Sequence, residues 1–126
     1  MILITGGSYQ GRLDYARERF GLTDGDVFVC TEQTEAPALD RRCIAYIDRF
    51  ALNRVRAGAD PCAFFRKNAS RLADRILIAT DVSCGVVPVD AVLRAWREAC
   101  GRMNNALAAQ ADEVWRLFCG LPQRLK

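Results

Sequence analysis

Short apolar runs alternate along the chain with longer stretches whose apolar residues recur every three or four positions, a pattern of buried strands alternating with amphipathic helices. Met1-Ile2-Leu3-Ile4-Thr5 is apolar, partly β-branched and stops at Gly6-Gly7, as a buried parallel strand should. A helix is expected from about Gly11, with Tyr15, Ala16, Arg19 and Phe20 on neighbouring turns and Gly21 as its stop. Thr23-Asp24-Gly25-Asp26 makes a turn, and Val27-Phe28-Val29-Cys30-Thr31 predicts a second strand with Glu32 at its carboxyl end.

Glu32 to Pro37 is polar and irregular. From Leu39 to Arg56 the spacing of Ile44, Ile47, Ala51 and Val55 predicts a helix, with Arg41, Arg42, Asp48 and Arg49 at its polar positions. Asp60-Pro61 combines a capping side chain with a first-turn proline, so another helix should begin there and turn Phe65, Ala69 and Leu72 to the core. Arg75–Thr80 reads as a third strand, Asp81–Val87 as a loop, and Pro88 as the opening of the longest helix. In that helix Val92, Trp96, Ala99, Met103, Leu107 and Ala111 form one stripe, expected to lie on the sheet as core. Glu113–Cys119 makes a last strand, closed by Gly120-Leu121-Pro122. The alternation predicts an α/β fold: a doubly wound, mostly parallel sheet of about four or five strands, flanked by helices and joined by right-handed crossovers.

Composition narrows the function classes. With 126 residues the chain is expected to form one domain, 1–126. No apolar run approaches the roughly 18 residues that span a bilayer, and Met1–Thr5 has neither a basic region nor a cleavage site, so a cytoplasmic protein without a membrane role is expected. The 18 basic and 15 acidic residues are dispersed, which argues against a nucleic-acid surface and leaves small anionic ligands open. The six cysteines include no CxxC pair, so most are expected to be small buried hydrophobes and not zinc ligands or disulfides. The absence of histidine removes every histidine base, nucleophile pair and covalent histidine intermediate from these residues.

Gly6-Gly7-Ser8-Tyr9-Gln10-Gly11-Arg12-Leu13 has the spacing of the GxxxxGK[ST] phosphate loop, in which main-chain amides wrap a phosphate, lysine reaches the outer phosphates and a hydroxyl binds Mg²⁺. Arg12 stands at the lysine position and Leu13 at the hydroxyl position. The preceding strand and following helix favour a nucleotide site over a bare turn. Arg12 keeps the charge and can hold a phosphate through two bonds, while Leu13 weakens the metal site without abolishing it. Thr5 and Ser8 are nearby hydroxyls read as backbone caps. Glu32 and Asp81, at the ends of strands two and three, are candidates for a magnesium water or a ribose, and strand-end acids are also frequent caps. Asp112-Glu113 is expected to face water.

Two stretches together resemble the adenosylcobinamide kinase/adenosylcobinamide-phosphate guanylyltransferase family of cobalamin biosynthesis. They are MILITGGSYQGRLDYA, Met1 to Ala16, and ILIATDVSCGVVPVDAVLRAWREACGRMNNALAAQADEVWRLFCGLPQRLK, Ile76 to Lys126. The second is similar to the family's VGxGIVP loop, its GRxNQxLAxxADEVW passage and its GIPxxLK tail. The resemblance implies a P-loop-type nucleotide-binding fold and an enzyme class that phosphorylates the aminopropanol hydroxyl of adenosylcobinamide with ATP or GTP, then attaches GMP. Carried over by position, it implies nucleotide contacts at Gly6, Gly7, Ser8, Gly11, Arg12 and Leu13, with Tyr9 and Gln10 in the same loop, and at Thr31 with its neighbour Glu32. It also makes self-association reasonable.

The departures are specific. The family's guanylylated histidine follows strand two, yet Glu32–Arg75 is shortened and holds no histidine, and no acidic strand-end motif is recognisable there. The family's Asn-Glu pair after strand three appears as Thr80-Asp81. Guanylyl transfer through a histidine is thereby excluded for this chain. Phosphoryl transfer, with Arg12 stabilising the transferred group and Glu32 or Asp81 organising a metal water, is the enzyme activity left open. The alternative is a non-catalytic nucleotide- or corrinoid-binding protein, or an accessory subunit.

Overall fold

A computed structural model describes residues 1–126. The strands are β1 (Ile2–Gly6), β2 (Val27–Val29), β3 (Cys43–Ala45), β4 (Ile76–Ile78), β5 (Glu113–Phe118) and β6 (Leu121–Arg124). The helices are α1 (Arg12–Phe20), α2 (Ile47–Arg56), α3 (Pro61–Lys67), α4 (Ala69–Leu72) and α5 (Ala91–Gln110). The strands form one sheet in the order β2-β3-β4-β1-β5-β6, parallel throughout except for β6, which runs antiparallel to β5. The fold is therefore the expected α/β type, with six strands in place of four or five.

Both sheet faces are covered, which is why the strands are apolar at successive positions. Leu3, Ile44, Leu77 and Val114 face a core built with Phe50, Phe65, Met103 and Leu107 from the helices. Their neighbours Ile4, Cys43, Ala45, Ile78 and Leu117 face the other side, against Ala16 of α1 and Leu22. Thus α1 leaves β1 on one face of the sheet, while α2, α3 and α5 pack on the opposite face.

Local signals hold where the chemistry is local. Gly21 ends α1 in the left-handed conformation, and Asp60 caps α3 by accepting from the Cys62 N–H at 3.0 Å, with Pro61 in the first turn. Cys30, Cys43, Cys62 and Cys100 are buried and unpaired, whereas Cys84 and Cys119 are exposed.

Three expectations need correction. Residues 39–56 are not one helix: Cys43–Ala45 is an interior strand paired to both β2 and β4, Tyr46 turns left-handed at φ 59°, and only then does α2 begin. The i, i+3 relation of Ile44 to Ile47 is accidental, since one belongs to a strand and the other to a helix. Secondly, α5 starts at Ala91 and not at Pro88, because Asp90 provides the cap by accepting from the Leu93 N–H at 2.9 Å. Val92 and Ala69, expected in the core, are exposed. Thirdly, the Gly120-Leu121-Pro122 closure is the turn and start of a hairpin, in which Cys119 (φ 50°) and Gly120 (φ 74°) take the two positive angles of a tight turn. Pro122 is tolerated because β6 is an edge strand.

Candidate functional site

The chain leaves β1 toward one face and β3 toward the other, so a crevice opens at the carboxyl ends of the strands between α1 and α2. Such a point of divergence is where open α/β sheets take ligands. A cavity of about 410 Å³ lies there, lined by Ser8 to Asp14, Tyr46, Arg49 and Thr80.

The glycine loop forms one wall. Gly6 lies at φ 145°, and a Cβ there would run into the Leu117 carbonyl oxygen of the neighbouring strand. This brings the main chain to its tightest approach to β5. Tyr9 stands at φ 59° with its side chain fully exposed, and Gly11, at φ 78°, is the N-cap residue of α1. Neither Gly11 nor Tyr46, the N-cap residue of α2, provides a side-chain cap, so both helices open on the cavity with uncapped amino ends. The β5–β6 hairpin props the loop from behind, where the Cys119 N–H donates to Gln10 Oε1 at 2.5 Å.

Arg12 is the least expected part of the site. It is only 5% exposed, and its Nη1 donates to the Gly6 and Gly7 carbonyl oxygens while Nη2 donates to Thr80 Oγ1 at 2.9 Å. The Thr80 N–H in turn donates to Asp48 Oδ1 at 2.7 Å, and Trp96 Nε1 donates to the Asp48 carbonyl at 2.7 Å. Arg12, Asp48 (4% exposed) and Thr80 (8%) are the three buried polar or charged side chains of the molecule, and they form one connected chain. Burial pushes the Asp48 carboxyl up and pulls the Arg12 guanidinium down, and the opposite charge of each works against that shift in the other. Buried polar groups without partners are costly, so this linkage fixes the loop to β4 and α2.

Leu13 packs its half-buried side chain on the α1-side core and also reaches the cavity. Ser8, Tyr9, Gln10, Gly11, Arg12 and Leu13 thus share one wall. Thr31 and Glu32 do not join them, because β3 and β4 separate β2 from β1 in the sheet. Thr31 Oγ1 closes a turn by accepting from the Gln33 N–H at 3.2 Å, and Glu32 pairs with Arg56 at 2.8 Å. Asp81 lies beside the loop through its N–H, which donates to the Gly6 carbonyl at 2.8 Å, but its carboxylate opens on a separate 260 Å³ cavity lined by Thr5, Ser83, Asn104 and Asn105 among others. Partial burial raises that carboxyl, yet bonds from Ser83 and Cys84 outweigh burial and hold it below the ordinary range.

A protein-held magnesium does not fit these residues. Leu13 offers no oxygen, the Asp81 oxygens already accept from Ser83 and Cys84, and no group of three or more acidic or cysteine side chains converges anywhere in the molecule. Asp112, expected in water, is exposed but takes a bond and a charge pair from the Met1 amino group, and Glu113 accepts from Trp115 Nε1 at 2.8 Å. The residues that the sequence reading missed are Tyr46, Asp48, Arg49 and Thr80. The first three follow β3, and recognising Cys43-Ile44-Ala45 as a strand would have placed them at the ligand edge.

Part of the chain is similar in sequence to known proteins. The bifunctional adenosylcobalamin biosynthesis protein CobU of Salmonella typhimurium is 39% identical over 51 residues, 40% of this chain and 28% of that protein. Its Escherichia coli counterpart is 37% identical over 51 residues, with the same coverage. The aligned segment thus spans little more than a quarter of either relative. No helix is long and apolar enough to cross a membrane. The family model described as cobinamide kinase / cobinamide phosphate guanyltransferase matches residues 51–125, from α2 through the hairpin that props the glycine loop, and the chain belongs to that family of cobalamin biosynthesis.

Proposed function

We propose that the chain binds the phosphates of a purine nucleotide, GTP or ATP, in the cavity between the glycine loop and α2. The observation that carries this reading is the convergence of the Ser8–Leu13 part of the glycine loop, an uncapped α1 amino end and Arg49 on one crevice at the strand ends. Main-chain amides there offer donors to an anion, and the helix dipole favours negative charge. Within the family, the reaction open to these residues is phosphoryl transfer to adenosylcobinamide, which requires positioning and charge neutralisation and no covalent protein nucleophile. Histidine-mediated guanylylation is not among the reactions this chain can carry.

A second reading, binding without turnover, draws on a specific observation. Both Nη atoms of Arg12 are engaged by the protein, and Leu13 supplies no metal oxygen. Titration calorimetry with GTP and ATP, with and without Mg²⁺, followed by a radiolabelled transfer assay with adenosylcobinamide, separates the two. Phosphate incorporation supports the kinase reading; saturable, Mg²⁺-indifferent binding without incorporation supports the second; no binding of either nucleotide refutes both.

A further inference from the structure

The cavity has a second basic wall. Arg49 lines it from the first turn of α2 and is exposed, with its guanidinium 4.6 Å from the centre of the Tyr46 ring. It makes no ion pair and no side-chain hydrogen bond, unlike Arg17, Arg42, Arg56 and Arg66, each of which faces a carboxylate. The same Tyr46 ring has Arg12 at 5.8 Å. Stacking on an aromatic face holds a guanidinium in place without consuming its donors.

Position makes this placement informative. A cation in the first turn of a helix opposes the dipole and costs stability when nothing negative is near. Arg12 and Arg49 occupy the first turns of α1 and α2, and both face the same cavity. The two cations differ in availability: both Nη atoms of Arg12 are bonded to loop carbonyls and Thr80, and only its buried Nε lacks an acceptor, whereas every donor of Arg49 is free. Asp14, on the first turn of α1, is the one carboxylate on the cavity rim.

We propose that Arg49, reaching across from α2, is the cation that meets the outer phosphates of the ligand, so that the site selects a polyphosphate chain over a single phosphate. Arg12 is then a positioning residue that shapes the loop from beneath. This inference rests on the nucleotide reading above and adds to it a residue and a ligand class.

The test is calorimetry on the full chain with GTP, inorganic triphosphate and orthophosphate as probes. Arg49→Ala should weaken GTP and triphosphate by about tenfold or more, the loss expected for a charge-assisted contact, with Arg49→Lys intermediate. Orthophosphate affinity should change by less than about threefold on the same scale. Arg71→Ala removes an equal charge from exposed α4 and should bind like the native chain, while Asp14→Asn should bind triphosphate more tightly. Arg49→Ala relieves the charge opposed to the dipole of α2 and loses the stacking on Tyr46, so it should melt within about 4 °C of the native protein, which separates lost binding from lost folding. Native-like triphosphate binding by Arg49→Ala, or an equal loss in Arg71→Ala, overturns the role given to Arg49 and leaves the nucleotide reading standing. Failure of the native chain to bind GTP and triphosphate overturns both.

Discussion

Replacing Thr80 by valine tests the linkage that holds the glycine loop. The change is nearly isosteric and keeps the Thr80 N–H bond to Asp48, but removes the oxygen that accepts from Arg12 Nη2 at 2.9 Å. Arg12 is 5% exposed and the protein offers Nη2 no second acceptor, so a charged donor is left poorly satisfied. Hydrogen bonds to charged groups contribute about 1.5–3 kcal/mol. A chain of this length should lose about 4 °C of melting temperature per kcal/mol, so a fall of about 6–12 °C is expected by calorimetric or circular-dichroism melting. Thr80→Ser is the control: it keeps the oxygen and loses one methyl, worth about 0.8 kcal/mol or roughly 3 °C. Urea unfolding should show a lower midpoint at unchanged slope. A Thr80→Val protein that melts within about 2 °C of native, or a Thr80→Ser protein as unstable as Thr80→Val, would show that the Thr80 oxygen does not hold Arg12.

Further outcomes follow from the same geometry. Gly6→Ala places a methyl against the Leu117 carbonyl at a backbone angle that side chains rarely adopt, so a loss of at least about 2 kcal/mol in urea unfolding is expected, together with loss of GTP binding. In native protein a thiol reagent should modify Cys84 and Cys119 rapidly, and in denaturant all six cysteines. Burial pushes the Cys30 and Cys43 thiols up to about 12, which keeps them protonated and unreactive while the fold holds. Asp81 should titrate below the ordinary carboxylate range in carbon NMR, and Ser83→Ala should return it part of the way, because one of its two Ser83 donors is removed. A native value held below the unfolded one gives stability that is present above about pH 4 and lost as pH falls through the native value, so Ser83→Ala should flatten the acid limb of the stability curve.

Some of the site was legible because its signals are local. Gly6-Gly7 after an apolar run marks a strand-to-helix turn wherever it occurs, and the polar Asp48-Arg49 pair was visible as sequence. What the sequence could not reveal is that Asp48 is buried beneath the loop and Arg49 is not, since their charge, and not their spacing, assigned both to a solvated face. The strand Cys43-Ile44-Ala45 is hidden in the sequence because its apolar run continues through Tyr46 into Ile47 and merges with the apolar positions of α2. Thr31 and Glu32 were drawn toward the loop by their place after strand two, and strand order, a long-range property, set two strands between them and β1.

The alternation of strand and helix, the glycine turn, the caps at Asp60 and Gly21 and the lack of histidine are all legible in the order of the residues. These depend on residues within a turn or two of one another, where sterics and hydrogen-bonding capacity act directly. Folding alone sets which strands are neighbours, turns Arg12 inward to Gly6, Gly7 and Thr80, and leaves Arg49 facing the loop across Tyr46. Burial and partnership of a charge depend on what the fold brings to it from far along the chain. Here Thr80 comes from 68 positions beyond Arg12, a relation no local pattern encodes.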